Sequence, residues 1–240
     1  MMERTLKALS LTLSYPSAEL QDAMPEIGAV LGADPRIAPD TQAALQALTE
    51  ELAQGDLFDV QESYVMLFDR SRTLSLNLFE HVHGESRDRG GAMVSLIETY
   101  RDGGFEPATT ELPDHLPVLL EFLSTRPFAE AQETLADAAH IFDVLVTRLV
   151  RRGSGYDAAF AALSQLAGAQ SDADAVAGML AEPDDDPTDL EALDAVWEET
   201  EVTFGPDPNA GCPQVRDMLA LMEKPALKAA SALTNLHRSA

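Results

Sequence analysis

Apolar residues recur at intervals of three and four along almost the whole chain, which is the spacing of one face of an α-helix. A half-buried strand would alternate apolar and polar residues, and no segment of the sequence sustains that pattern. Each apolar stripe has to be buried against another, so the sequence predicts an all-α fold, a single helical bundle domain. The stripes are Leu6–Leu13, Leu57–Phe68, Met93–Tyr100, Leu116–Leu123, Phe128–Leu149 and Tyr156–Ala167.

Two of these stripes carry the signals that mark helix ends. Asp56 precedes the second stripe, and an aspartate side chain is a good N-cap because it accepts hydrogen bonds from the first free amides of a helix. The stripe Phe128–Leu149 is followed by Arg151–Gly153, where cations suit a helix C-terminus and glycine suits a stop. We interpret Phe128–Leu149 as one helix and expect it at the centre of the fold.

The last third of the chain differs in composition from the rest. No Lys or Arg occurs between Gly153 and Val215, and the segment Glu182–Pro187 has no apolar residue to bury. Such a segment cannot contribute to a core, which predicts an exposed acidic linker. We therefore divide the chain into an all-helical domain, residues 1–170, and an acidic, partly ordered appendage with short helices, residues 171–240.

A short helix is expected within this appendage. Thr188 and Glu191 form a capping-box pattern, in which each side chain bonds the other's backbone amide. Leu190, Leu193 and Trp197 follow at helical spacing. Trp197 could dock the appendage on the bundle or cover a groove, and the sequence does not distinguish these roles.

Charge narrows the classes of partner that the chain can have. Its 240 residues include 16 Lys and Arg against 41 Asp and Glu, a net charge of −25. This field repels phosphates and anionic lipid headgroups, so nucleic-acid and direct lipid binding are disfavoured, whereas a basic protein segment is attracted. Cys212 is the single cysteine and has no partner for an internal disulfide, and the first residues lack a secretory signal. We expect a protein of the reducing cytoplasm, without membrane-spanning segments.

Histidines and carboxylates crowd into the segment 64–90. His81 and His83, with Glu80 or Glu85, are the ligand types that zinc takes. The spacing is unfavourable, because positions i and i+2 of a helix point to different faces. A metal site is therefore the weaker interpretation of this segment.

Ion pairs within a turn are the alternative interpretation of the same segment. Here Glu80, Glu85 and Asp88 pair with Arg87 and Arg89 and hold the loop in place. We favour this second interpretation for the arginines.

A second dense segment, Glu111–Pro117, opens the helix of the fourth stripe. Asp114 is a good N-cap for it, with His115 as the first helical residue and Pro117 in the first turn, where proline does no harm. Capping does not explain His115, and a catalytic role as general base is conceivable. However, no nucleophile motif or phosphate-binding loop occurs in the sequence, and Cys212 lies in the appendage. An enzyme is therefore the weaker hypothesis.

Three blocks of sequence together resemble a known family. They read YVMLFDRSRTLSLNLFEHVHGESRDRGGAM, then ELPDHLPVLLEFL, then LDAVWEETEVTFG, and their order and spacing are kept over roughly residues 57–211. The blocks are similar to those of the NarJ-type chaperones of nitrate reductase assembly, within the redox enzyme maturation chaperones that include TorD and DmsD. That wider family is all-helical and shares a Glu-x-Pro-Asp-His signature, matched here by Glu111, Pro113, Asp114 and His115.

The resemblance implies a cytoplasmic chaperone that is not an enzyme and carries no cofactor of its own. Its partner would be the amino-terminal segment of the catalytic (alpha) subunit of nitrate reductase, a basic amphipathic peptide. Binding would keep the subunit from its membrane partner while the molybdenum cofactor is inserted. The acidic charge found above suits such a peptide. We expect a monomer by default, with no nucleic-acid contact and no membrane insertion.

The resemblance also implies where the peptide binds. The groove would be formed by the aromatic helix and the Pro-Asp-His turn, with a nearby histidine-rich segment as a further candidate. These positions are Tyr64, Phe68, Glu111, Pro113, Asp114 and His115, with Glu80, His81 and His83 nearby. Tyr64 and Phe68 are also spaced as i and i+4, so core packing explains them as well as groove lining does.

Two other functions are alternatives to a dedicated chaperone. One is a metal-dependent hydrolase that uses His81, His83 and His115. The other is a general acidic holdase, which would bind many basic amphipathic helices about equally, whereas a dedicated chaperone discriminates between them.

Overall fold

The computed structural model describes residues 2–83, 87–186 and 188–189, and the fold below refers to these residues. One compact unit spans Met1–Leu190. In the described part the elements are helical, as the apolar spacing predicts. They are α1 (Met2–Thr12), α2 (Ala18–Gly32), α3 (Pro39–Gln54), α4 (Leu57–Tyr64), a π-helical turn (Val65–Asp69), a 3-10 turn (Arg72–Leu74), α5 (Leu78–His83), α6 (Arg87–Asp102), α7 (Leu116–Ser124), α8 (Phe128–Asp137), α9 (Ala139–Arg151), α10 (Asp157–Ala167) and α11 (Ala173–Leu180).

The helices pack around one contiguous apolar core. Helix α1 lies between α2 and α7, α2 packs on α3, and α10 packs on α3, α8 and α9. Side chains such as Leu9, Phe142 and Phe160 are fully buried where these helices meet. Asp56 is the N-cap of α4, as predicted, and its carboxylate accepts hydrogen bonds from the amides of Phe58 and Asp59. The all-α prediction is confirmed for the described residues.

The prediction of one helix over Phe128–Leu149 is wrong, because the chain turns at Ala138. There φ is −96° and ψ is 1°, and α8 ends as α9 begins. The turn lets both helices pack on α10 with their apolar faces, whereas one straight helix would carry one end away from it. No proline or glycine marks this position, so the break follows from tertiary packing.

Helix α6 is also less buried than its stripe predicts. Tyr100 is buried, but Val94 and Ile97 are exposed and Met93 and Leu96 are half-buried. Among the described helices α6 packs mainly beside α5, which is short, so its apolar face is only partly covered.

Of the segment expected to be exposed, residues 182–184 and 186 are exposed and Asp185 is half-buried, while Pro187 lies outside the described residues. Two arginines, one of α9 and one of the turn after it, contact this segment. The Arg148 guanidinium is buried and forms an ion pair with Asp184 at 3.1 Å. The Arg152 guanidinium hydrogen-bonds the backbone oxygen of Asp185 and the Ser71 hydroxyl. The expected appendage therefore contacts the bundle through its described residues, from Ala173 onward. The division of the chain after residue 170 stays a prediction.

The other features expected of the appendage, from Leu190 through Trp197 to Cys212, lie outside the described residues. Within the described part, no helix is both long enough and apolar enough to cross a bilayer.

Candidate functional site

A turn before α7 organises the region that the sequence singles out. The backbone of Asp114–Leu116 runs antiparallel to Leu76–Leu78 and makes an isolated bridge between Asn77 and His115. The Leu78 amide donates to the Asp114 carbonyl at 3.1 Å, and the Leu116 amide donates to the Leu76 carbonyl at 2.8 Å. The turn and the segment before α5 are therefore fixed to each other.

Asp114 is buried, and it does not cap its own helix as predicted. Its carboxylate oxygen Oδ2 accepts a hydrogen bond from the Phe79 amide at 3.0 Å, in the first turn of α5. The pairing of the two segments explains the difference, because it places Asp114 beside α5 rather than over the start of α7. Burial raises the pKa of Asp114, although the Phe79 amide and Arg89 counteract part of that rise.

His115 occupies the N-cap position of α7 and is not its first helical residue. It makes no side-chain capping bond, and Pro117 lies in the first turn as expected. The imidazole is half-buried, and burial lowers the pKa of His115, while Glu111, Asp114 and Asp69 oppose that shift. Within the described residues its Nδ1 atom is buried and has no hydrogen-bond partner. A mainly neutral imidazole thus faces a set of carboxylates.

His115 lines a cleft of about 440 Å³ between the start of the chain and the turn before α7. Its apolar lining comes from α1, α4 and α7, and carboxylates stand among the other lining residues. The lining consists of Lys7, Ser10, Leu11, Ser14, Tyr15, Tyr64, Asp69, Thr109, Glu111, His115, Pro117, Val118 and Glu121. An apolar surface with acidic groups around it is suited to a basic amphipathic segment.

The carboxylates of this cleft are close enough to affect one another. The pKa of Asp69 is raised by burial and then by the charge of Glu111, while His115 lowers it. Lys7 is the one lysine or arginine among the lining residues, and it forms an ion pair with Glu121. Asp69 and Glu111 are therefore left to give the cleft its negative charge.

Tyr64 and Phe68 turn out to have different surroundings. The Tyr64 hydroxyl donates to the Leu13 carbonyl at 2.9 Å, and the Tyr64 ring meets Tyr15 edge-on at 5.5 Å, inside the cleft. The Phe68 ring packs on Tyr64 at 5.0 Å and on Tyr156 at 5.1 Å, behind the cleft surface. Both side chains are packed in the core, and Tyr64, which is 3% exposed, also lines the cleft. A role of either in peptide binding stays a prediction.

The histidine-rich segment lies elsewhere. Nε2 of His81 is 2.8 Å from the Ser75 carbonyl oxygen, and burial lowers the pKa of His81. Glu80 forms an ion pair with Arg89 at 3.0 Å, which matches one of the expected pairs of the turn. The side chains of His83 and Glu85 lie outside the described residues. Among the described residues, no group of three or more His, Cys, Asp or Glu side chains is placed to hold a metal ion.

The structure also adds residues that the sequence reasoning missed. Tyr15, Asp69 and Glu121 line the cleft together with Glu111 and His115. In the sequence, Asp69 directly follows the apolar stripe that ends at Phe68, and this position is the one signal that could have indicated it. In the structure, Asp69 ends the π-helical turn. Pro113 lines a neighbouring cavity of about 620 Å³, which also includes Glu111 and Thr109.

Comparison with known proteins identifies relatives over most of the chain. A family model described as "Nitrate reductase delta subunit" matches residues 34–162. The chain is 43% identical over 206 residues to the nitrate reductase molybdenum cofactor assembly chaperone NarJ of Escherichia coli (strain K12), covering 86% of this chain and 87% of that protein. It is 40% identical over 207 residues to the probable chaperone NarW of the same strain, 86% of each chain. Identity to the probable NarJ chaperone of Bacillus subtilis (strain 168) is 30% over 152 residues, 63% of this chain and 82% of that protein.

Proposed function

Since this chain belongs to the nitrate reductase delta subunit family, we infer that it acts as a chaperone in nitrate reductase assembly and works by binding, not by catalysis. Relatives named as molybdenum cofactor assembly chaperones support this role across 86% of the chain. No comparison supports the metal-dependent hydrolase or the general holdase.

The client segment that we propose is the amino terminus of the catalytic subunit, a basic amphipathic peptide. The single observation that carries this proposal is the cleft of about 440 Å³, in which Tyr15 and Tyr64 lie together with Asp69 and Glu111. A helix with apolar anchors at i, i+3 and i+4 would pack on the tyrosines, and its cations would face the carboxylates. Charge would speed the encounter, and the fit of the anchors would provide selectivity.

The roles of the expected site residues differ in this proposal. Tyr64, Glu111 and His115 would contact the peptide directly, because they line the cleft. Pro113 would extend the contact into the neighbouring cavity, which shares Glu111 with the cleft. Phe68 and Asp114 would act from behind, by packing and by fixing the turn. His81 would hold the segment before α5 through Ser75, and Glu80 would link α5 to Arg89 of α6. His83 stays a nearby candidate.

The working cycle follows from this binding. Holding the amino terminus would delay attachment of the immature subunit to its membrane partner until the cofactor is inserted. We propose that the chain does this as a monomer in the cytoplasm, without a cofactor of its own.

Calorimetric titration tests the proposal. The full chain is titrated with the amino-terminal peptide of the catalytic subunit and, separately, with a scrambled peptide of identical composition and charge. We expect tight binding of the native peptide alone. Equal binding of both peptides would reduce the recognition to charge and favour a general holdase, and no binding of either would contradict the cleft as the client site.

A further inference from the structure

A second cavity, of about 270 Å³, shares no lining residue with the cleft described above. Its walls are apolar and come from α5, α6, α7 and α9, with Leu78, Leu119 and Ile141 among them. Asp114 and Asp137 are the two carboxylates of the lining. Asp114 and His115 are adjacent in the turn before α7 but line different cavities. His115 lines the cleft, and Asp114 lines this second cavity.

One oxygen of Asp114 lacks a partner. Oδ2 accepts the Phe79 amide, whereas Oδ1 is buried and, within the described residues, receives no hydrogen bond. The whole residue has 0% exposure. A buried acceptor without a donor is costly, so a group that brings a donor to Oδ1 would relieve that cost on binding.

We propose that this cavity is a second binding pocket, which takes one apolar side chain of a client polypeptide that ends in a single N–H or O–H donor. The apolar walls would bury the body of the side chain, and its donor would meet Asp114. An indole or a phenol ring has this combination of properties. A fully apolar ring would fill the walls but leave the carboxylate oxygen unsatisfied.

A side chain fits this pocket better than a cofactor does. The volume is below the usual range of roughly 300–1,000 Å³ for sites that hold whole ligands. Val82 lines the rim and is 54% exposed, so the apolar surface continues outside the pocket and could meet the rest of a bound chain. Thr134 and Asp137 are exposed rim residues on α8.

Two probes of nearly equal shape test the donor requirement. The full chain is titrated with indole and with benzothiophene, in which sulfur replaces the N–H group. We expect indole to bind at least about tenfold more tightly, as one hydrogen bond to a buried carboxylate predicts. Equal affinity for the two probes would overturn the role of Asp114.

Variants then place the binding. Thr134→Trp adds a large ring at the rim and should abolish binding of indole, whereas Glu133→Trp, on the same helix but outside the lining, should leave it unchanged. Asp114→Asn keeps an oxygen for the Phe79 amide and directs an N–H group to the other position. It should remove the preference for indole over benzothiophene. Indole binding that survives Thr134→Trp would contradict the proposed location.

A third probe identifies the source of the ring. N-acetyl-tryptophanamide carries the same ring on a peptide backbone and should compete with indole. Failure to compete would show that the pocket excludes side chains and takes only free small molecules, which would overturn the proposal. This pocket is independent of the cleft, so Thr134→Trp should still bind the catalytic-subunit peptide at full affinity.

Discussion

Two charged regions of the molecule use their carboxylates in opposite ways. In the cleft, Asp69 and Glu111 stand beside a mainly neutral His115, and the one lysine of the lining is paired with Glu121. Beyond α11, the Asp184 carboxylate forms ion pairs with Arg148 and Arg151, and Arg152 donates to the backbone oxygen of Asp185. In the first region the two carboxylates face the open cleft, whereas in the second the charge of Asp184 is compensated within the fold.

The contacts of the second region extend toward the first. Oδ2 of Asp185 accepts the Thr73 amide at 2.8 Å, and the Arg148 guanidinium donates to the Thr73 carbonyl at 2.8 Å. The segment after Thr73 pairs with the turn that carries Asp114 and His115. Part of the net charge of −25 therefore forms ion pairs within the fold, and part lies in the cleft, where, in our proposal, it attracts the client peptide.

The largest effect is expected from Arg148→Met. The substitution leaves the carbonyls of Thr73 and Met179 without the Arg148 donor and Asp184 with Arg151 alone, and it should lower the free energy of unfolding by about 3 kcal/mol. Urea denaturation of the full chain measures this loss.

Arg151→Met is the matched control. Arg151 contacts the same carboxylate at 3.3 Å, but 49% of its side chain is exposed, so its loss should cost less than about 1 kcal/mol. Equal losses for both arginines would mean that burial of Arg148 contributes nothing to the support.

The second-largest effect is expected on the affinity for the client peptide, when carboxylates of the cleft are replaced. The double substitution Asp69→Asn and Glu111→Gln should weaken binding of the basic client peptide about tenfold at low salt, with little change in stability. Calorimetry at two salt concentrations measures it, and the loss should shrink as salt rises. Glu133→Gln on α8, outside the cleft lining, removes a charge elsewhere and should change the affinity little. If Glu133→Gln weakened binding as much as the cleft variants, the total charge rather than the cleft would recognise the peptide.

Asp114 and His115 separate support from recognition at adjacent positions. Asp114→Ala removes the cap on the Phe79 amide and should cost about 1 kcal/mol of stability. His115→Ala should leave the stability within about 0.5 kcal/mol, since its ring makes no capping bond, and should weaken peptide binding. Thermal unfolding measures the stability of both variants, and titration measures their affinity for the peptide. A loss of stability in His115→Ala together with a loss of affinity in Asp114→Ala alone would contradict this division.

The smallest effect is the dependence of binding on pH. Burial lowers the pKa of His115 from its ordinary 6.5, so the ring gains its charge only in mildly acidic buffer. Burial raises the pKa of Asp69, so as the pH falls this carboxylate takes up its proton earlier than an ordinary aspartate does. Both changes remove negative charge from the cleft as the pH falls, although Glu111 and Asp114 also face His115. Affinity for a basic peptide should be flat from about pH 8.5 to 7 and fall about threefold toward pH 5. An affinity for the basic peptide that rose as the pH fell would contradict this prediction.

The helices could be predicted from the sequence because each stripe of apolar residues reflects burial on one face. What the sequence could not show is where packing overrides local preference. Ala138 breaks a helix without a proline or glycine, and Ala is the residue that favours a helix most. Val94 and Ile97 belong to an apolar stripe and were expected to be buried, but they are exposed. A stripe alone does not reveal whether another helix covers it.

Part of the cleft lining could be predicted from the sequence, and part could not. The resemblance brought Tyr64, Glu111 and His115 together, and the structure places them in one cleft. Asp114 was assigned to the wrong helix, because its capping bond reaches back to residue 79 and no local pattern reveals a contact between segments 35 residues apart. The sequence contains no signal for Tyr15 for the same reason, since only folding brings the turn after α1 beside Tyr64 of α4.

The central claim is that the client peptide lies in the cleft, and site-specific photo-crosslinking tests it most directly. A benzoyl-phenylalanine replaces Tyr15, which is 50% exposed inside the cleft, or Phe58, which is 78% exposed and outside the lining. The account predicts that the native catalytic-subunit peptide crosslinks at position 15 and not at position 58, and that the scrambled peptide crosslinks at neither. Crosslinking at position 58 alone, or equally at both positions, would contradict it.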